Sequence, residues 1–107
     1  MMPTSLTLDT TRRDDGKLML VAAGEIDLSN IDAFVQALTS ASGESPGGPL
    51  TVDLSDVEYL DSAAINALFT HANHIDLIAH PILMPILTIS GLTELVAVEP
   101  ASPTSQN

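Results

Sequence analysis

A few groups of residues in this sequence have the types and spacing to do chemistry. Asp53, Asp56 and Glu58 bring carboxylates together along a strand and the segment after it, the kind of set that hard cations use. Alternate strand residues and loop carboxylates are more often solvated or turn-forming, so no metal is expected there. His71, His74 and Asp76 are as closely spaced, but no matching further ligand and no H-E-x-x-H motif accompanies them. They read as surface or boundary groups, not as a zinc site. Asp61-Ser62 stands directly before the apolar run Ala63-Ala64-Ile65. By type alone, a serine before such a run is a helix cap. No Ser-His-Asp order, glycine-rich phosphate loop or pair of catalytic carboxylates stands out, so an enzyme reading has nothing to rest on, and no cofactor is expected.

The chain that must position these residues has 107 of them, 45% hydrophobic, which suits one core and one domain. Its 14 acidic residues face 3 basic ones, Arg12, Arg13 and Lys17, for a net charge of −11. From Leu18 onward there is no Lys or Arg, which excludes phosphate neutralisation and so disfavours nucleic acid and anionic membranes as partners. The charge fits a basic partner surface or plain solubility equally well. Without cysteine there is neither a disulfide nor a thiol switch, which suits a reducing compartment. Met1 to Thr7 lacks the basic start and apolar stretch of a signal peptide. Asp76, His80, Pro81 and Pro85 break the apolar stretch Ile75 to Leu92, which argues against a membrane helix. A cytoplasmic protein is the expectation.

Alternation predicts strands over Ser5 to Thr11 and Lys17 to Ala23, joined as a hairpin by Asp14-Asp15-Gly16. Ser29, with Asp32 three residues on, is the expected N-cap of a helix whose apolar face is Ile31, Phe34, Val35 and Leu38, and which stops near Thr39. Ser40 to Pro49 reads as a flexible connection. Leu50 to Leu54 is a third strand, Ser55 to Asp61 a loop, and Ser62 to about Asn73 a helix leading to a strand over Ile75 to Ala79. That unit calls for a parallel crossover. A short helix begins at Pro81 or Pro85 and ends at Gly91, Leu95 to Val98 is a final strand, and residues 100–107 form a disordered tail after a domain of residues 1–99. Leu18, Leu20, Ile31, Phe34, Leu38, Val52, Leu54, Ile65, Leu68 and Phe69 are the expected core.

Two segments carry a family resemblance. Gly24-Glu25-Ile26-Asp27 resembles the G-E-L-D element at the end of the second strand in STAS domains (sulphate transporter and anti-sigma factor antagonist), and the run Leu50 to Ser62 resembles their strand, loop and D-S helix start. Ser90-Gly91-Leu92 is a weaker third match. The resemblance implies an α/β fold: a single STAS-like domain with a small mixed sheet and helices mainly on one face. It further implies an anti-sigma factor antagonist, in which the serine after the aspartate, here Ser62, is phosphorylated by an anti-sigma factor that is itself a serine kinase of the ATP-binding type. Unphosphorylated antagonist binds that factor and frees the sigma factor; the phosphorylated form lets go until a serine phosphatase resets it.

On this resemblance the partner surface comprises Asp27, Asp61, Ser62, Ala63, Ala64 and Asn66, with Asp61 orienting Ser62. Where the family often has Ser or Thr and then Gly-Leu-Gly, this chain has Ala63, Ala64, Ile65 and Asn66, so side chains replace glycines along the approach to the serine. A monomer or weak dimer is expected. The alternative within the family is a STAS scaffold that is never phosphorylated, such as the small subunit of a lipid-transport ABC assembly.

Overall fold

The computed structural model describes residues 5–44 and 48–101. Five strands form one sheet in the order of the sequence: β1 (Leu6–Arg12), β2 (Leu18–Ile26), β3 (Leu50–Leu60), β4 (Ile75–Ala79) and β5 (Val98–Pro100). The β1–β2 pair is antiparallel, closed by a turn in which Gly16 takes φ 86°; β2, β3, β4 and β5 pair in parallel. Parallel neighbours need crossovers, and the helices supply them: α1 (Ile31–Gly43), α2 (Ser62–Thr70) and α3 (Met84–Ile89). The sheet is therefore mixed and the class α/β, as the resemblance implied.

The core follows from period-two strands meeting helical stripes. Leu18, Leu20 and Ala22 alternate inward on β2, as do Leu50, Val52 and Leu54 on β3 and Ile75, Leu77 and Ala79 on β4. They bury against Phe34 and Leu38 of α1, Leu68 of α2 and Leu87 of α3. Eight of the ten expected core residues are buried; Ile31 and Phe69 pack at the edge of the cluster. A fully buried Phe or Leu stabilises by about 1.5–3 kcal/mol, so this side of the sheet holds the fold together. The alternate positions Met19, Val21, Asp53, Asp76 and Ile78 stay half-buried on the other face.

Several boundaries differ from the sequence reading, each for a local reason. β3 does not end at Leu54 but runs to Leu60, because its ladder with β2 continues through two register shifts that insert extra residues on β3. Bulges of this kind break the alternation, which is why Ser55 to Asp61 reads as a loop. α1 continues past Thr39 to Gly43 because Ala41 buries one turn beyond Leu38. Ser29 is not its cap: Asn30 precedes the helix, its Oδ1 accepting from the Asp27 N–H and its Nδ2 donating to the Glu25 carbonyl. α2 stops at Thr70, and Ala72–His74 is a single 3₁₀ turn. Pro81–Leu83 forms a 3₁₀ turn that runs into α3 with Pro85 in its first turn, where a missing N–H costs nothing. Gly91 takes φ 88° and ends that run as expected. The last strand is Val98–Pro100, and the Ala101 N–H donates to the Ala79 carbonyl, so order extends through the expected start of the tail. Residues 102–107 of that tail lie outside the described residues.

Candidate functional site

Ser62 stands where β3 hands over to α2. The parallel pairing brings Ile26, the last residue of β2, beside Leu60, the last of β3, so both strands deliver their following loops to one edge of the sheet. Ligand and partner sites of open α/β sheets form at such carboxyl ends. The Asp61 N–H donates to the Ile26 carbonyl at 3.2 Å, locking the two strand ends together.

Asp61, not Ser62, is the N-cap of α2. Its backbone is extended and its Oδ1 accepts from the Ala64 N–H at 3.0 Å, while its carbonyl accepts from the Ile65 N–H. Its second oxygen accepts from the Leu28 N–H at 2.9 Å. The carboxylate therefore holds the helix start and the β2–α1 loop, where the sequence reading had it orienting the serine. Ser62 becomes the first residue of the helix and is exposed. Of the first-turn amides that lack intrahelical acceptors, that of Ala64 is thus taken by the Asp61 side chain, while the Ile65 N–H makes the first regular helical bond to the Asp61 carbonyl.

Ser62 opens onto a surface hollow of ≈ 560 Å³. Its rim is Tyr59, Asp61, Ser62, Asn66, Ile86 and Ser90; Leu60 and Ile65 form its floor. The structure thus brings Asp61, Ser62 and Asn66 to one surface. Ala63 is half-buried beside them. Ala64 is completely buried, its methyl group turned into the core, so it neither touches a docking molecule nor obstructs one. Asp27 does not line the hollow; half-buried, it accepts from the Ser29 N–H and hydroxyl and so shapes the loop that presents Leu28. Leu28 itself is 75% exposed.

Tyr59, Ile86 and Ser90 are absent from the sequence reading of the site. Ile86 sits in a segment that the sequence reads only as a short helix, although that segment, Pro81 to Ile89, is apolar on every side and so signals a second contact face. Among the described residues no group of three metal-ligating side chains converges, and Asp53 instead accepts from the Ser55 N–H, forming a local turn. No helix among them is long and apolar enough to cross a membrane.

Comparison with known proteins bears on this arrangement. The family model described as "Mlab, STAS domain" matches residues 10–97. A curated Mycobacterium tuberculosis protein named "Putative anti-anti-sigma factor" is 30% identical over 112 residues, covering 96% of this chain and 76% of its own length. Among solved structures, an anti-sigma factor antagonist from Mycobacterium paratuberculosis superposes with a TM-score of 0.83 at 26% identity, covering 94% of this chain and 90% of that one. The anti-sigma factor antagonist SpoIIAA in its unphosphorylated form superposes at 0.67 with 13% identity over 92% and 90% of the two chains, a likeness of fold. The matched residues run through the β3–α2 junction that carries Ser62, and the chain belongs to the STAS domain family.

Proposed function

We propose that this chain is an anti-sigma factor antagonist, a binding protein and not an enzyme, that docks a serine-kinase-type anti-sigma factor and is switched by phosphorylation of Ser62. The observation that carries the reading is the exposed Ser62 hydroxyl at the first position of α2, on the rim of an open hollow. The names of the relatives supply the partner class, and SpoIIAA, which shares the fold, has been solved in a phosphorylated form. Dephosphorylation by a serine phosphatase resets the switch, the working unit is a monomer or weak dimer, and the setting is the cytoplasm.

The local physics suits such a switch. The helix macrodipole and the Ser62 and Ala63 amides favour an anion at this end, so a phosphate is tolerated by the domain that bears it. It adds about −1.5 to −2 charges next to Asp61. A partner carboxylate roughly 5 Å away would then be repelled by about 3 kcal/mol per charge pair at an effective dielectric near 20, on the order of a hundredfold in affinity. The modification thus discriminates between folding and docking.

The test is incubation with ATP and purified serine-kinase anti-sigma factors, followed by mass spectrometry. Labelling of wild type and none of Ser62→Ala is expected; equal labelling of both removes Ser62 from the mechanism. A second reading is the never-phosphorylated STAS scaffold, a role for which membership of the matched STAS family alone suffices. Under it Ser62→Glu binds its partner as wild type does, whereas the switch requires weakened binding.

A further inference from the structure

The helical run from Pro81 to Ile89 has an unusual cross-section. Leu83 and Leu87 point into the core, 3% and 0% exposed. On the opposite side Ile82, Ile86 and Ile89 are 60%, 42% and 85% exposed. Their i, i+4, i+7 spacing puts them in one outward stripe. No Asp, Glu, Lys or Arg occurs between Leu77 and Thr93 to make that side hydrophilic. A helix that is apolar all round is ordinarily covered on both sides, and among the described residues nothing covers this one.

We infer that this stripe is the affinity-bearing half of the docking surface at Ser62, and that it receives an aliphatic ridge of the anti-sigma factor flanked by neutral or basic side chains. The inference rests on the antagonist reading above and deepens it. Continuity ties the stripe to the switch: Ile86 and Ser90 line the same hollow as Ser62, and so does Tyr59, 49% exposed. Exposed Leu28 is fixed to Asp61 on the same junction. Charge selects the occupant. A second copy of this chain would bring another −11 against it, and an anionic bilayer would find no Lys or Arg beyond Lys17. Asp61 is the carboxylate on the rim, so groups that border an incoming ridge must be neutral or positive. In this arrangement apolar burial on α3 supplies affinity while the phosphate on Ser62, at the edge of the same patch, removes it.

The test compares wild type, Ser62→Glu, Ile89→Ser and the double variant Ile86→Ser/Ile89→Ser. Each is titrated calorimetrically against the purified ATP-binding serine-kinase anti-sigma factors of the organism that carries this chain, with ADP bound. Loss of about tenfold in affinity for Ile89→Ser and on the order of a hundredfold for the double variant is expected, with melting temperatures unchanged for the highly exposed Ile89. In the kinase assay the isoleucine variants raise KM for Ser62 labelling and leave kcat alone, and the unchanged melting temperature of Ile89→Ser separates this effect from a loss of folded substrate. If Ser62→Glu weakens binding while both isoleucine variants bind like wild type, the stripe is not the docking surface and the antagonist reading stands without it. If wild type binds none of the factors, the antagonist reading fails and takes this inference with it. A wild-type homodimer dissociated by the isoleucine substitutions would assign the stripe to a second copy and overturn it.

Discussion

The Leu28 N–H donates to Asp61 Oδ2 at 2.9 Å across 33 residues of sequence. The other oxygen of that carboxylate accepts from Ala64, and the Asp61 N–H reaches Ile26, so one residue fastens the end of β2 to the start of α2. Ser62 and the exposed Leu28 are consequently held as one surface, not as two independent loops.

Asp61→Ala removes both side-chain bonds, leaving the amides of Leu28 and Ala64 without these acceptors. A lost N-cap costs about 1 kcal/mol and the second bond, which is exposed, up to about as much again, so a loss of roughly 1–2 kcal/mol in denaturant unfolding is expected. Asp61→Asn keeps an oxygen for Ala64 but turns an NH₂ group on Leu28, for a smaller loss of about 0.5–1 kcal/mol. Amide exchange at Leu28 speeds up in both variants. Unchanged exchange there would show that the carboxylate does not hold the loop.

Ser62→Glu separates folding from docking. Asp61 caps α2, and the serine is the exposed first helical residue, so its replacement leaves the cap intact. A carboxylate in the first turn interacts favourably with the helix dipole by about 0.3–1 kcal/mol. The variant should melt at the wild-type temperature or slightly above. A melting temperature lowered by several degrees would mean that the fold itself rejects negative charge there, and phosphorylation would then act by unfolding.

How much of this was legible in the sequence depends on whether the signal was local. The Gly16 turn, the Gly91 terminus and the alternation of Leu18-Leu20 and Val52-Leu54 each follow from nearby residues and hold in the structure. The bulged half of β3 was not legible, because its irregular register is imposed by pairing with β2 and erases period two. The helix start at Ser62 was readable, whereas the role of Asp61 was not. The capping bond of Asp61 to Ala64 is local, but its bond to Leu28 exists only because the parallel pairing of β2 with β3 brings that residue close. The isoleucines of α3 were visible as apolar residues, yet the distinction between inward and outward ones needs the sheet beneath them.

Ser42 lies in the last turn of α1, and its buried hydroxyl has no hydrogen-bond partner. An unpaired buried hydroxyl costs about 1–3 kcal/mol, and alanine is the better helix former. Ser42→Ala should therefore stabilise the domain by about 1 kcal/mol and raise its melting temperature by about 4–8 °C. Calorimetry decides it: a lower melting temperature would mean that the hydroxyl is satisfied in solution.

Gly24 sits at φ 113° between the register shifts of β2, and a Cβ built there would collide with the Ser5 carbonyl oxygen. That carbonyl is already committed, accepting from the Glu25 N–H at 3.0 Å. Moving it aside would break the bond that closes the β1–β2 ladder at the end where β2 hands over to the Asp27 loop. Gly24→Ala therefore combines left-handed strain, about 1–3 kcal/mol, with a backbone collision that no side-chain rotation relieves, and a total loss of about 3 kcal/mol is expected. Gly16→Ala is the control: φ is 86°, but nothing lies within 4 Å of its added Cβ, so only the strain is felt. Urea midpoints should rank wild type above Gly16→Ala and Gly16→Ala above Gly24→Ala. Equal losses at the two positions would mean that β1 yields at Ser5, and that this edge of the sheet is softer than its pairing implies.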